Sequence, residues 1–408
     1  MRPFRIDVPQ ADLDDLARRL EAVRWPAELP GVGWSRGVPA DYLRDLVEYW
    51  RTGYDWRAAE AKLNQFPQFT EEIDGANVHF FHVRSPEPDA LPLIMTHGWP
   101  GTVAEFIDVI GPLTDPRGHG GDPADAFHVV VPAPPNFGFS GPAPEPGWGV
   151  PRIAKAWAEL MRRLGYDRYA AHGSDLGVWI SLTVAGMYPE NLIGAHVDYL
   201  LTPPAGPEET EGLSEQDLGR LAVLAAFEDQ GRAGYMKIQG TRPQTLAYAL
   251  TDSPVGQLAW IAEKYWDWTS GDSVTRDQLL TAVSIFWLTG TAGSSAQIYF
   301  EMADQLPNDA KPVIVPPPLP VPLAIASYAY DAALPVRRIA EARFPNIVQW
   351  SEFAEGGHFP ALEAPDLFVG DLRAFGRVMR SRAAVGEQAW ESAGEPARES
   401  VELSQSAG

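Results

Sequence analysis

Between the short apolar run Tyr169 to Ala171 and a helix-like segment lies Gly173-Ser174-Asp175-Leu176-Gly177. A small residue two positions either side of a central one is the requirement of a sharp strand-to-helix turn, where the crowded backbone leaves no room for larger neighbours. Asp175 is the centre of that frame, flanked by Gly173 and Gly177, whereas a frame centred on Ser174 would put His172 and Leu176 at the restricted positions. The atom presented at the tip is therefore a carboxylate oxygen and not a hydroxyl. A carboxylate is ionised at neutral pH, needs no base, and can displace a leaving group from saturated carbon to give an alkyl ester on the protein. The plainer alternative keeps Asp175 as a helix N-cap, a position that favours Asp.

Two further segments supply what such a nucleophile needs. Thr96-His97-Gly98-Trp99-Pro100-Gly101 follows the strand-like run Leu91 to Met95. A loop of this kind provides one backbone amide of an oxyanion hole and the residue after the nucleophile provides the other, so the expected donors are Trp99 and Leu176. Alone, the segment would also pass as a Gly-Pro turn. His358, in Glu355-Gly356-Gly357-His358-Phe359-Pro360 after the strand-like run Ile347 to Phe353, is the candidate general base. His196, the other histidine beyond Asp175, sits inside an apolar strand-like stretch, Leu192 to Leu200, and reads as a packed residue. In the chain order nucleophile, acid, histidine, the acid falls at the end of an intervening strand. Val321 to Tyr330 runs straight into Asp331, which would orient the His358 ring and stabilise its cation.

Ahead of the turn stand Asp41-Tyr42-Leu43, Tyr49-Trp50, Tyr54-Asp55-Trp56-Arg57, Phe66-Pro67-Gln68-Phe69 and His79-Phe80-Phe81-His82-Val83-Arg84-Ser85; behind it stand Gly234-Tyr235-Met236-Lys237-Ile238-Gln239 and Thr289-Gly290-Thr291 leading to Tyr299. With these motifs in this order, the span from about Phe4 to Met379 resembles the microsomal-type epoxide hydrolases of the α/β-hydrolase superfamily. The resemblance implies an α/β fold with a mostly parallel central sheet, an inserted helical lid and a helical N-terminal extension. It implies that Tyr235 and Tyr299 donate hydrogen bonds to an epoxide oxygen, and that a vicinal diol forms through an ester on Asp175. Phenols suit that task because they are protonated at neutral pH and can donate as alkoxide charge develops. No cofactor is implied; the partners are a small, largely apolar epoxide and water, in a monomer or homodimer. Relatives of this type serve in detoxification or in natural-product biosynthesis, that of enediyne antibiotics included. Two positions depart from the pattern: Asp331 stands where the mammalian microsomal enzyme has glutamate, and Leu176 where many relatives carry tryptophan.

A net charge of −22 disfavours nucleic acid and anionic membrane surfaces as partners. The absence of cysteine removes thiol nucleophiles, thiolate metal sites and disulfides. His79 and His82 share a strand-like run without clustered carboxylates, so no metal is expected. With no long apolar run and an opening that leads directly into the domain, the expectation is a soluble, cytoplasmic protein. The expected division is a helical extension over 1–75 packing on the core, core over 76–201, lid over 202–307, core again over 308–382 and a disordered polar tail over 383–408. Trp260, Trp266, Trp268, Phe286 and Trp287 would line a substrate tunnel or fill the lid's own core. Three other readings compete. A dehalogenase-like hydrolase would use the same aspartate but cradle its halide with indole or amide N–H groups, a non-catalytic ligand-binding protein would lack a triad member, and an esterase would need Ser174.

Overall fold

In the computed structural model, which describes residues 1–229, 232–304 and 319–393, nine strands form one sheet: β1 (Arg2–Phe4), β2 (Gln68–Ile73), β3 (Ala76–Val83), β4 (Leu91–Thr96), β5 (Phe127–Pro132), β6 (Tyr169–Gly173), β7 (Leu192–Val197), β8 (Leu323–Tyr328) and β9 (Ile347–Phe353). Their order is β1-β2-β3-β5-β4-β6-β7-β8-β9. From β5 across to β9 every pairing is parallel, and β1, β2 and β3 add an antiparallel edge. Parallel strands need cover on both faces and so read as continuous apolar runs; β8, Leu-Ala-Ile-Ala-Ser-Tyr, is buried along its whole length. Helices Val150–Arg163 and Leu176–Met187 pack on one face, and Ile107–Thr114 and Pro365–Ala393 on the other. Val150–Arg163 buries Ile153, Ala154, Trp157, Leu160 and Met161 at helical spacing and turns its charged residues outward.

The strands read from apolar runs are present within about three residues of their expected ends, the ordinary uncertainty of such boundaries. The extension holds the helices Gln10–Glu21, Ala40–Thr52 and Trp56–Leu63 but also β1 and β2, which lengthen the sheet. β2 escaped a pattern reading because its inward residues are polar: Gln68 and Thr70 are buried, and Gln68 Oε1 bonds His79 Nε2 at 2.9 Å. The last helix continues to Ala393, so residues 383–393 are helical and not the disordered tail expected there. Ala383, Ala384, Glu387, Gln388 and Ala389 are strong helix formers, and helix propensity there needs no apolar periodicity. The remaining tail residues, the end of the expected lid and most of the proline-rich Lys311 to Pro322 lie outside the described residues.

Between β7 and β8 stand the insertion's helices, among them Gly234–Gln239, Pro243–Asp252, Pro254–Trp268, Arg276–Thr289 and Gln297–Asp304. Ser253 caps the third of these by accepting from the Gly256 amide at 3.0 Å. The extension grips this insertion as well as the core. Trp50 Nε1 donates to Ser284 Oγ at 3.2 Å, Tyr49 to Asp277 at 2.8 Å, and Trp34 stacks on Trp266 at 4.2 Å. Among the described residues no single helix is long and apolar enough to cross a membrane; the bent pair Arg276–Thr289 and Ala292–Ala303 passes on length and composition only, with a bend of 101°.

At the turn after β6 the sheet leaves no space. A Cβ on Gly177 would overlap the Thr96 carbonyl oxygen, and one on Gly173 the Gly177 carbonyl. Gly177→Ala should therefore lower the unfolding free energy in urea by about 2 kcal/mol or more. Gly186→Ala, in the same helix but facing open space, should be neutral or raise it by roughly 0.5–1 kcal/mol.

Candidate active site

Asp175 follows β6 with φ 51° and ψ −117°, a strained conformation for a residue with a side chain. It occupies the N-cap position of Leu176–Met187, yet its side chain does not cap that helix. The carboxylate turns instead to the loop after β4, where the Trp99 amide donates to Oδ1 at 2.9 Å. Of the two amides expected to form an oxyanion hole, Trp99 binds Asp175 in this structure; Leu176 begins the helix beside it. Gly98 permits the approach, because a Cβ there would overlap the Asp175 carboxylate. Thr96 ties the two loops together: its carbonyl accepts the Ser174 amide at 3.0 Å and its hydroxyl accepts from Trp157 Nε1 at 3.0 Å.

His358 Nε2 lies 3.3 Å from Asp175 Oδ2, and Nδ1 lies 2.7 Å from Asp331 Oδ1. With Nδ1–H donating to Asp331, Nε2 is free to take a proton. Asp331 Oδ1 also accepts the Ala332 amide at 2.6 Å. The base is held from the insertion too, since its backbone N–H donates to the Trp268 carbonyl at 2.9 Å. Trp268, Tyr199 and Phe359 set their rings against the imidazole at 4.8, 5.1 and 5.2 Å. Burial works against a charge on His358, but the Asp331 and Asp175 carboxylates outweigh it and hold the imidazole well above its ordinary value. Burial pushes the Asp331 carboxyl up, opposed by His358.

Tyr235 and Tyr299, on Gly234–Gln239 and Gln297–Asp304, meet over this pair of loops. Their rings are 5.7 Å apart, and each packs on Trp99, at 5.1 and 5.8 Å. Both phenols are pushed up, Tyr235 by burial and the Asp175 charge, Tyr299 by burial, Tyr235 and Asp175, so both carry their protons at neutral pH. Of the five aromatic side chains considered for a tunnel, Trp268 contacts His358 and Tyr235, Trp266 lies half exposed on Trp34, and Phe286 is buried against Phe137. A cavity of about 410 Å³ opens between extension and insertion, bordered by Tyr54, Glu105, Tyr265 and Thr281.

Three groups beside the site, Asp198 and Glu105 buried and Tyr199 partly so, were not singled out in the sequence. Asp198 follows β7 as Asp331 follows β8, so it met the same criterion for the acid. The structure instead pairs it with Ser174, whose hydroxyl donates to Asp198 at 2.5 Å. Burial pushes Asp198 up to about 8. Glu105 is buried with Oε1 unpartnered, and burial, then Asp198, push it well up. Tyr199 closes on the base. His196 is a packed residue bonded to His172 at 3.0 Å and to Asp371 at 2.8 Å. His79 and His82 are engaged by Gln68 and Tyr166, and among the described residues no group of three potential metal ligands forms.

A carboxylate at a strand-to-helix turn, opposed by a His-Asp pair on a mostly parallel sheet, defines the α/β-hydrolase class, and the family model described as "alpha/beta hydrolase fold" matches residues 92–231. The model described as "Epoxide hydrolase N terminus" matches residues 1–106. The chain is 45% identical over 385 residues to the "Putative epoxide hydrolase" of Stigmatella aurantiaca, covering 93% of this chain and 86% of that one. It is 32% identical to "Epoxide hydrolase 1" of Sus scrofa, covering 92% and 88%. The solved epoxide hydrolase of Aspergillus niger superposes with a TM-score of 0.82 at 30% identity, over 93% of this chain and 96% of that one. The chain belongs to the epoxide hydrolase family and is a hydrolase enzyme.

Ser174→Ala leaves a buried Asp198 without its donor and should cost about 1–3 kcal/mol of stability in denaturant titration. The variant should still hydrate epoxides; loss of all turnover in a folded protein would return Ser174 to the list of nucleophiles.

Proposed function

We propose that the enzyme converts a small, largely apolar epoxide and water to a vicinal diol through a covalent ester on Asp175. The observation that carries this reading is the position of the Asp175 carboxylate, bound by the Trp99 amide and 3.3 Å from His358 Nε2, beneath two protonated, buried tyrosines. Asp175 attacks one epoxide carbon. The electron pair of the breaking C–O bond goes to the epoxide oxygen, which Tyr235 and Tyr299 stabilise by hydrogen bonding and proton donation. In the second step His358, oriented by Asp331, takes a proton from water as its oxygen bonds to the ester carbonyl. The amides of Trp99 and Leu176 hold the oxyanion; collapse expels the diol oxygen, protonated by His358. The proton released as Asp175 returns to its carboxylate restores the tyrosine. The paired phenols favour this over halide displacement, for which indole or amide donors would serve better. The role expected from the family resemblance, in natural-product biosynthesis or detoxification, is tested by comparing polycyclic with simple aryl epoxides.

Asp175→Ala should abolish turnover. His358→Gln should allow the first step and accumulate protein heavier by the mass of the epoxide in intact mass spectrometry; steady turnover without an adduct would sink the scheme. One turnover in oxygen-18 water should place the label in the Asp175 peptide and leave the first diol unlabelled. The two steps should also differ in pH dependence. His358 must be neutral to act, both carboxylates raise it, and esterification removes the Asp175 charge. The rate of ester hydrolysis should therefore rise with pH through a midpoint below the pKa of His358 in the free enzyme, measured by single-turnover kinetics and by titration of the imidazole.

A further inference from the structure

The ring of Tyr235 carries a contact that this scheme does not use. Lys264, on the helix Pro254–Trp268, sets its ammonium over that ring 4.6 Å from the centroid, and 6.0 Å from the Trp268 ring. Its side chain is 2% exposed. Lysine is almost never so buried unless it is paired, and here its ion partner is its chain neighbour Glu263, which is 30% exposed. A partner so near the surface could be met by an ammonium that stayed in water. The ammonium is turned inward, and what it meets there is the faces of two aromatic rings beside the reacting groups. A methionine would fill the same volume without desolvating a charge.

We propose that Lys264 is a positioning residue for epoxide opening: its ammonium, on the face of Tyr235, stabilises the negative charge that builds on the phenol as it donates to the departing oxygen. The inference rests on the donor role given to Tyr235. The face of an aromatic ring attracts a cation. That attraction grows as the O–H proton moves toward the epoxide oxygen and electron density rises in the ring, so it is stronger in the transition state than in the resting enzyme, which is the condition for raising a rate. Burial and the Asp175 charge both oppose a negative phenol and a hydrogen bond from Tyr299 favours it; in the proposal the cation on the ring face adds to the favourable side. Ester hydrolysis, which His358 serves, gains nothing from it.

The test separates the two half-reactions with enzyme in excess over styrene oxide, using acid quench and mass spectrometry of the ester. Lys264→Met should slow ester formation by about 3- to 30-fold while hydrolysis stays within about twofold and the thermal midpoint is unchanged or higher, as expected when a buried charge is replaced by an apolar side chain. Lys264→Arg should retain most of the rate, and Lys264→Gln serves if the methionine variant folds poorly. Tyr235→Phe should by itself cost about 100-fold in ester formation, and adding Lys264→Met to it should cost nothing more, because no phenol is left to stabilise. An unchanged rate in Lys264→Met, an equal loss in both half-reactions, or full additivity in the double variant overturns the proposal. Full-rate ester formation in Tyr235→Phe overturns the role of Tyr235 itself, and the two failures are thereby distinguished.

Discussion

Thr96 and Gly173 are paired neighbours at the ends of β4 and β6, and everything chemical in this protein hangs on how closely their two exits approach. The Thr96 carbonyl lies where a Cβ of Gly177 would have to be, while Gly98 lies against Asp175 with no allowance for a side chain. Gly98, Gly173 and Gly177 thus set a distance, and the distance lets a main-chain N–H of the loop after β4 reach a side-chain oxygen at the turn after β6. The strained φ of Asp175 follows from the same constraint, since the chain must reverse from strand to helix without leaving room to relax. Strain of this kind persists only where its surroundings over-determine it, here through the sheet pairing and the Ser174 and Trp157 bonds to Thr96.

Around that fixed point the protein gathers buried ionisable groups. Asp331, Asp198 and Glu105 are pushed toward the neutral acid by burial, while His358, facing two carboxylates, is pushed toward its cation. Moving the charge on Asp175 therefore alters Asp331, Glu105 and His358. In the proposed scheme Asp175 loses its charge on forming the ester, the base that acts next feels that loss, and the order of the two steps is coupled to electrostatics without any movement of the backbone.

What the sequence made legible was whatever depended on backbone geometry or on a strand's end. The elbow declared itself through glycine spacing, and Asp331 and His358 through their places after apolar runs. β2 stayed hidden because it buries Gln68 and Thr70 where a pattern reading looks for apolar residues. Asp198 was indistinguishable from Asp331 by position along the chain; only the hydrogen bond of Ser174 to the one and of His358 to the other separates them. Tyr235 and Tyr299 could be selected from thirteen tyrosines by motif alone, since a phenol beside a reactive carboxylate and a phenol elsewhere in a core have the same neighbours in sequence. Lys264 was invisible for the same reason: a charged residue on a helix is ordinarily solvated, and nothing local says that this one turns inward.

The bond from Trp50 to Ser284 joins residues 234 positions apart, and Tyr49, Tyr54 and Trp34 find their partners at comparable separations. During synthesis the first three helices leave the ribosome with their aromatic side chains bare. At ordinary elongation rates the segment that covers them follows roughly 10–50 s later. For that interval Trp34, Tyr49, Trp50 and Tyr54 lack the partners they hold in the folded protein, so the face of the extension that meets the insertion is the last of its surfaces to be covered.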